Sequence, residues 1–288
     1  MQDFAESKEL RGAQVALAGN GLVKLGVDSL DFLQNAVRES RAIRHMSPHP
    51  FRNAPLPEPD ELDLRSYQGL IEVHPADQVV VVRAGTGIRD LQTELSTHGQ
   101  GLPWVPGPGE DQNADLVTAI GMNLPHLGMA THGSWREWVL GLTVVQPSGE
   151  IVHCGSRAVK NVAGYDVQRL LVGARGTLGI IAEVILRTCP LKALPDVAVT
   201  QAAQVDFIQR TLPTEFPSLV AALGDAVVLA DKAASVVYGV GEPAEASTGW
   251  VLTARRYAIA DRVQAKYWQR AKAEFDPSGK LNPGEVQL

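Results

Sequence analysis

The sequence has few cysteines, no long apolar run and no excess of basic residues. Its two cysteines, Cys154 and Cys189, cannot by themselves supply the four thiolates of an iron–sulfur cluster or a cysteine-rich zinc site. The formal net charge of −6 disfavours nucleic-acid binding, because a phosphate-binding surface needs clustered lysine and arginine. No run of about 18 apolar residues is present, so we expect no membrane-spanning helix.

The first eleven residues are acidic and polar, and they lack the apolar stretch of a secretory signal peptide. Few cysteines are typical of a reducing compartment. We therefore expect a cytoplasmic protein.

The composition is that of an ordinary globular chain, with 288 residues of which 45% are hydrophobic. This length suits one large domain or two modest ones. Five prolines between residues 45 and 59 predict an exposed loop there. Hydrophobic periodicity predicts helices at 28–41, 88–98, 166–172 and 263–275, and strands at 79–82, 140–146, 151–154 and 180–188.

Two glycine-rich segments have the composition of anion-binding loops. The first, AGNGLVKLG at 18–26, follows an apolar strand and includes Lys24. The second, GARGTLGII at 173–181, precedes a strong strand. Glycines let backbone N–H groups approach an anion closely, although a plain turn is an equally good interpretation of each segment.

Two other motifs are weaker indications of a binding site. Gly85-Thr86-Gly87 lacks the third glycine of a dinucleotide fingerprint, since position 90 is Asp, so a tight strand-to-helix turn is favoured. His126 and His132 share a glycine-rich loop but have no carboxylate or cysteine at ligand spacing, so we expect no metal site.

Read together, three segments resemble a known family. LSTHGQGLPWVPG at 95–107, VLGLTVVQPSGEIVHCG at 139–155 and KNVAGYDVQRLLVGARGTLGIIAEVILRTCP at 160–190 are similar to the FAD-binding domain of the vanillyl-alcohol oxidase and p-cresol methylhydroxylase superfamily. Within it they most resemble FAD-binding subunits of bacterial glycolate oxidases. The similarity covers 14–25 and 62–190, and more loosely 267–284, where FDPSGKLNPG resembles the family's C-terminal signature.

The resemblance implies an α+β fold of the p-cresol methylhydroxylase type. Residues 1–190 would form the FAD-binding domain from two α/β subdomains, at about 1–75 and 76–190. Residues 191–262 would form a reduced C-terminal cap, and 263–288 a helix and tail that return to the FAD-binding domain.

The resemblance also implies FAD as the cofactor, with the AGNG loop holding its pyrophosphate and the stretch 105–107 leading to its isoalloxazine ring. The positions that match cofactor-binding segments are Gly19, Asn20, Gly21, Leu22, Lys24, Pro106, Gly107, Thr118, Gly121, Asn123, Gly176, Thr177, Gly179, Ile180 and Ile181. The loop at 18–26 has no His or Cys, so we expect the flavin to be bound non-covalently. No catalytic base is assigned; Asp111, His126 and His132 are candidates by position, and a non-catalytic role is favoured for each.

The sequence departs from the family at three places. The TxGG-type motif is blurred and falls at either 115–118 or 118–121. The first helix of the family is almost absent, and a proline-rich insertion follows the AGNG loop. The segment 191–262 is shorter than the usual cap.

The implied function is the FAD-binding subunit of a complex that oxidises a small 2-hydroxyacid of the glycolate type. Its partners would be a second flavoprotein and an iron–sulfur subunit, and any membrane association would run through them. The departures favour an alternative, an assembly subunit with a degenerate flavin site and little turnover. A cell-wall precursor reductase shares the domain type, but the KNVAGYD motif argues against it.

Overall fold

The computed structural model describes residues 15–17, 23–45, 60–108, 114–157, 166–194, 205–245, 248–253, 257–259, 262–283 and 286. These residues form three main sheets with helices packed between and around them. One hydrophobic cluster runs through all three sheets, from Leu25 and Leu62 through Val82 and Val184 to Tyr238. The candidate site lies where these parts meet.

The first sheet is small and mixed. Its inner strands run parallel, with Leu25 opposite Leu62. Helix α1 (Leu30–Glu39) begins at Ser29, whose hydroxyl accepts the N–H of Phe32 at 3.2 Å, and its apolar face is buried. In spatial order the strands are β1 (Val15–Leu17), β2 (Val23–Gly26), β4 (Asp60–Asp63) and β3 (Ile43–Arg44).

The second sheet has five antiparallel strands and forms the centre of the chain. Its middle strand pairs with neighbours on both sides and is almost wholly buried, as expected for a run of β-branched and apolar residues. In spatial order the strands are β5 (Leu70–His74), β6 (Val79–Arg83), β10 (Ile180–Arg187), β8 (Val139–Val145) and β9 (Ile151–Gly155). A two-stranded ribbon joins β7 (Gln100–Gly101) to β11 (Cys189–Pro190).

Five helices belong to the part of the chain that holds the second sheet. Helix α2 ends where Gly99 takes a left-handed conformation, at the position the sequence predicts. The helices are α2 (Ile88–Thr97), α3 (Leu116–Met122), α4 (Met129–His132), α5 (Trp135–Trp138) and α6 (Val167–Leu171). Short 3-10 turns lie at Leu64–Ser66 and Leu191–Ala193.

The third sheet is antiparallel and lies in the segment expected to be a reduced cap. Helix α7 (Phe216–Leu223) packs on it through Phe216 and Leu219, which contact Phe207 and Val237 in a second, smaller core. A 3-10 turn at Gly224–Ala226 follows. In spatial order the strands are β13 (Val227–Asp231), β14 (Val236–Gly239), β12 (Phe207–Arg210), β15 (Trp250–Thr253) and β16 (Tyr257–Ile259).

The predicted fold class is confirmed: the chain mixes helices with sheets, and its second and third sheets are antiparallel. No doubly wound parallel sheet is present among the described residues. Gly85-Thr86-Gly87 forms a tight turn between β6 and α2, where a Cβ at Gly85 would lie 1.7 Å from the carbonyl oxygen of Leu64. The turn between β5 and β6 lies near residue 75, where the sequence predicts a subdomain boundary. Strand Leu70–His74 precedes that position and pairs within the second sheet.

The C-terminal helix α8 (Arg262–Phe275) leads into a turn that is held by one buried carboxylate. Asp276 accepts hydrogen bonds from Lys272 Nζ at 2.5 Å and from the N–H groups of Lys280 and Leu281 at 3.0 and 2.8 Å. Lys272 Nζ also donates to the carbonyl of Thr177 at 2.7 Å. Burial raises the pKa of Asp276, but these hydrogen bonds outweigh it and hold that pKa below its usual value.

We expect Asp276→Asn to destabilise the fold by about 3 kcal/mol, because it leaves the Lys272 ammonium without its carboxylate in a largely buried position. The difference in stability between wild type and Asp276→Asn should vanish as the pH falls below the pKa of Asp276, since protonation then removes the same charge from the wild type. Urea unfolding at pH 7 measures the difference. Asp77→Asn, at an exposed turn, is the control and should change stability little. Equal stability of Asp276→Asn and wild type would contradict this account.

Candidate functional site

Helix α3 occupies the region where the family motif is blurred in sequence. Its N-cap is Asp115, whose carboxylate accepts the N–H of Thr118 at 2.8 Å. All seven residues of the helix are buried. Because the backbone N–H of Thr118 already has an acceptor, a cofactor contact at Thr118 has to come from its side chain or carbonyl.

The loop at 173–177 packs directly against the C-terminal end of α3. The N–H of Arg175 donates to the carbonyl of Gly121 at 2.7 Å, and the N–H of Gly173 donates to that of Ile120 at 3.0 Å. Asn123 ends the helix in a left-handed conformation with φ 47°. Two segments predicted separately to bind the cofactor are therefore neighbours.

The same loop meets the end of strand β3 and the C-terminal tail. The imidazole Nε2 of His45 donates to the carbonyl of Gly176 at 2.9 Å. The side chain of Asn282 donates from Nδ2 to the carbonyl of Arg175 at 2.8 Å and accepts the N–H of His45 at 3.2 Å. We call this group of three, His45, Gly176 and Asn282, the junction.

Gly176 is required at the junction for two reasons. Its φ is +64°, a left-handed conformation that strains other residues. A Cβ would lie 2.4 Å from the His45 ring and 2.5 Å from Nδ2 of Asn282. The position therefore has room for bare backbone only, which suits a turn that binds through its main chain.

The segment around Pro106 and Gly107 faces the third sheet. A Cβ at Gly107 would lie 2.5 Å from the ring of Tyr238, which is buried in strand β14. The carbonyl of Val105 accepts the N–H of Leu127 at 2.9 Å. The phenol of Tyr238 thus lies against the stretch that the resemblance connects with the isoalloxazine ring.

Three of the predicted positions enter the central strand. A Cβ at Gly179 would lie 2.5 Å from Cγ1 of Val144, and Ile180 and Ile181 are buried and paired with strand β8. Their side chains belong to the core, so a cofactor contact here would use the backbone at the start of β10.

The predicted pyrophosphate loop is only partly described. Gly19, Asn20, Gly21 and Leu22 lie outside the described residues. Lys24 is on strand β2, where its backbone pairs with Glu61 of β4.

The candidate bases have distinct surroundings. His126 is buried and donates from Nε2 to the carbonyl of Gly133 at 3.0 Å; burial lowers its pKa to about 4. His132 ends α4, and its carbonyl accepts the indole N–H of Trp138. Asp111 lies outside the described residues. His126 is therefore a neutral, structural imidazole at neutral pH.

His45, Asn282 and Tyr238 are not among the site residues that the sequence predicts. His45 is the first residue of the proline-rich stretch that the sequence predicts to be a loop. Tyr238 belongs to a strand in a segment that has no motif. Asn282 lies in the FDPSGKLNPG signature, and that signature was the one sequence feature that pointed to any of the three residues. Within the described residues no group of three or more His, Cys, Asp or Glu side chains could hold a metal, and no helix has the length and apolarity to cross a bilayer.

Comparison with known proteins gives a family match over part of the chain that holds the candidate site. Residues 61–155 match the FAD binding domain family, which confirms the resemblance drawn from the sequence. Glycolate oxidase subunit GlcE of Escherichia coli (strain K12) is 34% identical over 130 residues, covering 45% of this chain and 37% of that protein.

The chain is also similar to a D-lactate dehydrogenase and to a solved synthase. The mitochondrial D-lactate dehydrogenase [cytochrome] of Arabidopsis thaliana is 36% identical over 126 residues, covering 44% of this chain and 22% of that protein. A solved alkyldihydroxyacetonephosphate synthase shares the fold with a TM-score of 0.50 at 15% identity, covering 69% of this chain and 36% of that one. The matched part thus spans well under half the length of each.

The pKa of His126 predicts how stability depends on pH. The unfolded chain binds a proton at His126 near pH 6.5, whereas the folded protein does so only near pH 4. Stability should therefore fall as the pH drops, by about 2 kcal/mol between pH 7 and pH 5 from this residue. In His126→Gln, which keeps an N–H donor for Gly133, that part of the pH dependence should be lost.

Urea unfolding at pH 7 and pH 5 measures both proteins, with His98→Gln at an exposed position as the control. An unchanged pH dependence in His126→Gln would show that the folded protein protonates His126 as readily as the unfolded chain.

Proposed function

We propose that this chain binds FAD non-covalently as a subunit of a complex that oxidises a small 2-hydroxyacid of the glycolate type. The observation that carries the proposal is the contact between Gly121 and Arg175, at 2.7 Å, which joins two of the segments implied to bind the cofactor. The family match over 61–155 and the similarity to GlcE support the same assignment.

The residues present fit a flavin held largely by backbone groups. Gly107 and Gly176 are both buried positions where a Cβ would clash with a neighbouring side chain, so only bare backbone fits there. When bound, a flavin supplies the capacity to accept a hydride from the α-carbon of a hydroxyacid. The proposed role of this chain is to bind the cofactor, orient it and exclude water from it.

Within the FAD-binding part we propose that Gly19–Leu22 and Lys24 hold the pyrophosphate. Thr118, Gly121 and Asn123 would line the site from α3, Gly176 and Thr177 from the junction, and Pro106 and Gly107 from the side of the third sheet. Gly179, Ile180 and Ile181 would contribute backbone groups at the start of β10.

The proposed partners are a second flavoprotein and an iron–sulfur subunit. The names of the relatives GlcE and GlcD describe subunits of glycolate oxidases, the latter from Bacillus subtilis (strain 168) at 36% identity over 104 residues. Two cysteines in the sequence are too few for an iron–sulfur cluster, so an electron relay of that kind would be in a partner. A cytoplasmic location is part of the same proposal.

One observation favours a second candidate, an assembly subunit with a degenerate flavin site. The buried ring of Tyr238 packs against Gly107, in the stretch implied to lead to the isoalloxazine ring. Absorbance of the purified protein separates the two. Flavin bands at about one equivalent support the first candidate, and a colourless, stably folded protein supports the second. Co-purification of a second flavoprotein and an iron–sulfur protein from the native host tests the partners.

The cofactor assignment at the AGNG loop is tested by Gly21→Val and Lys24→Ala. If backbone N–H groups of the loop hold the pyrophosphate, a side chain at Gly21 blocks their approach and should abolish FAD binding. Lys24→Ala should weaken FAD binding about tenfold, the effect of losing one charge-assisted contact. Flavin is measured in the supernatant after acid precipitation, so the same assay shows that it is not covalently attached.

Gly241→Val is the matched control, because Gly241 has φ +79° and no heavy atom within 4 Å of its Cβ position. It strains a left-handed backbone away from the AGNG loop and should leave flavin content unchanged. Full flavin content in folded Gly21→Val, or yellow precipitate from wild type, would refute the pyrophosphate loop or the non-covalent linkage respectively.

A further inference from the structure

A surface cleft of about 440 Å³ lies between the second-sheet region, the third sheet and helix α8. Its walls carry the aromatic rings of Trp250, Tyr267 and Trp268 together with apolar side chains such as Leu178. This volume is in the range of small-molecule sites, and the mixture of apolar walls with a few polar groups is typical of them.

Two arginines line the cleft, and none of its described lining residues is acidic. Arg210 on β12 has no hydrogen bond or ion pair from its side chain to any described residue, and it pairs across the sheet with Trp250. Arg136 uses Nε and Nη2 on the carbonyl of Val172, at 3.3 and 3.2 Å, so Nη1 is left for another acceptor. Among the described residues no carboxylate lines the cleft beside these two cations, which favours an anion as the ligand.

The cleft borders the flavin site proposed above, because Gly173 and Ala174 of the 173–177 loop line it, but most of its lining residues are not proposed to contact FAD. Of the fifteen residues proposed to contact FAD, Asn123 is the single one among the described lining residues. Gly176 faces the junction and Gly107 faces Tyr238, and neither His45, Asn282 nor Tyr238 lines the cleft.

We propose that this cleft binds a small organic carboxylate with an apolar body. The carboxylate pairs with Arg210, whose guanidinium presents two parallel N–H donors, and Arg136 adds a second cation. The apolar body lies against Trp250, Tyr267 and Trp268, which accounts for aromatic rings beside the charges. Inorganic phosphate offers the charge but not the apolar body, so it is the poorer ligand.

The test compares benzoate with benzamide, which has the same shape and no charge. Calorimetric titration of the protein as purified, with its flavin, should show benzoate binding at least about tenfold more tightly than benzamide. Arg210→Gln should remove that preference while flavin content stays as in wild type. Arg270→Gln, on an exposed face of α8 outside the cleft, is the matched control and should keep it. Arg136→Gln, which should reduce the preference, serves if Arg210→Gln fails to fold.

Three results would overturn the proposal. One is equal binding of benzoate by wild type and Arg210→Gln. Another is phosphate displacing benzoate at equal concentration, which would reduce the cleft to a general anion site. The third is loss of flavin from folded Arg210→Gln, which would assign the cleft to the cofactor. Because flavin content and acid binding are measured separately, a failure of the flavin proposal is distinguishable from a failure of this one.

Discussion

The side chain of Asn282 joins three parts of the chain that are far apart in sequence. Its Nδ2 donates to the carbonyl of Arg175 at 2.8 Å and its Oδ1 accepts the N–H of His45 at 3.2 Å, while the backbone N–H of Asn282 donates to the carbonyl of Ile43 at 2.7 Å. Removing one partner of a buried amide group leaves the other unsatisfied and costs free energy. Asn282 therefore helps to hold the 173–177 loop, together with His45 and the main-chain bonds to Ile120 and Gly121.

The sequence predicted the parts of the fold whose cause is local. The valine run at Val79–Arg83 and the helix Ile88–Thr97, which ends before a left-handed glycine, both follow from neighbouring residues. Strand β5 and the third sheet were not located in advance. Strands β13 and β15 of that sheet are largely apolar but short and only half-buried, and so short an apolar run does not separate a strand from a helix.

Most of the predicted site residues come from motifs, and motifs do not predict which of these residues are neighbours in the fold. Gly121, Asn123, Gly176 and Thr177 are neighbours through a few main-chain bonds, which no periodicity predicts because the partners are about fifty residues apart. His45 and Tyr238 have no motif at all; they matter because folding brings them against glycines. Such long-range contacts depend on tertiary packing, whereas turns and strand runs depend on local residue types.

The central claim is that the tail shapes the cofactor-binding loop through Asn282. The most direct measurement is the dissociation constant for FAD, by calorimetric titration of flavin-free protein, for wild type and Asn282→Ala, with folding followed by circular dichroism. The account predicts that Asn282→Ala stays folded and binds FAD at least about tenfold more weakly, because a buried loop carbonyl loses its donor. A folded Asn282→Ala that binds FAD with wild-type affinity would contradict it.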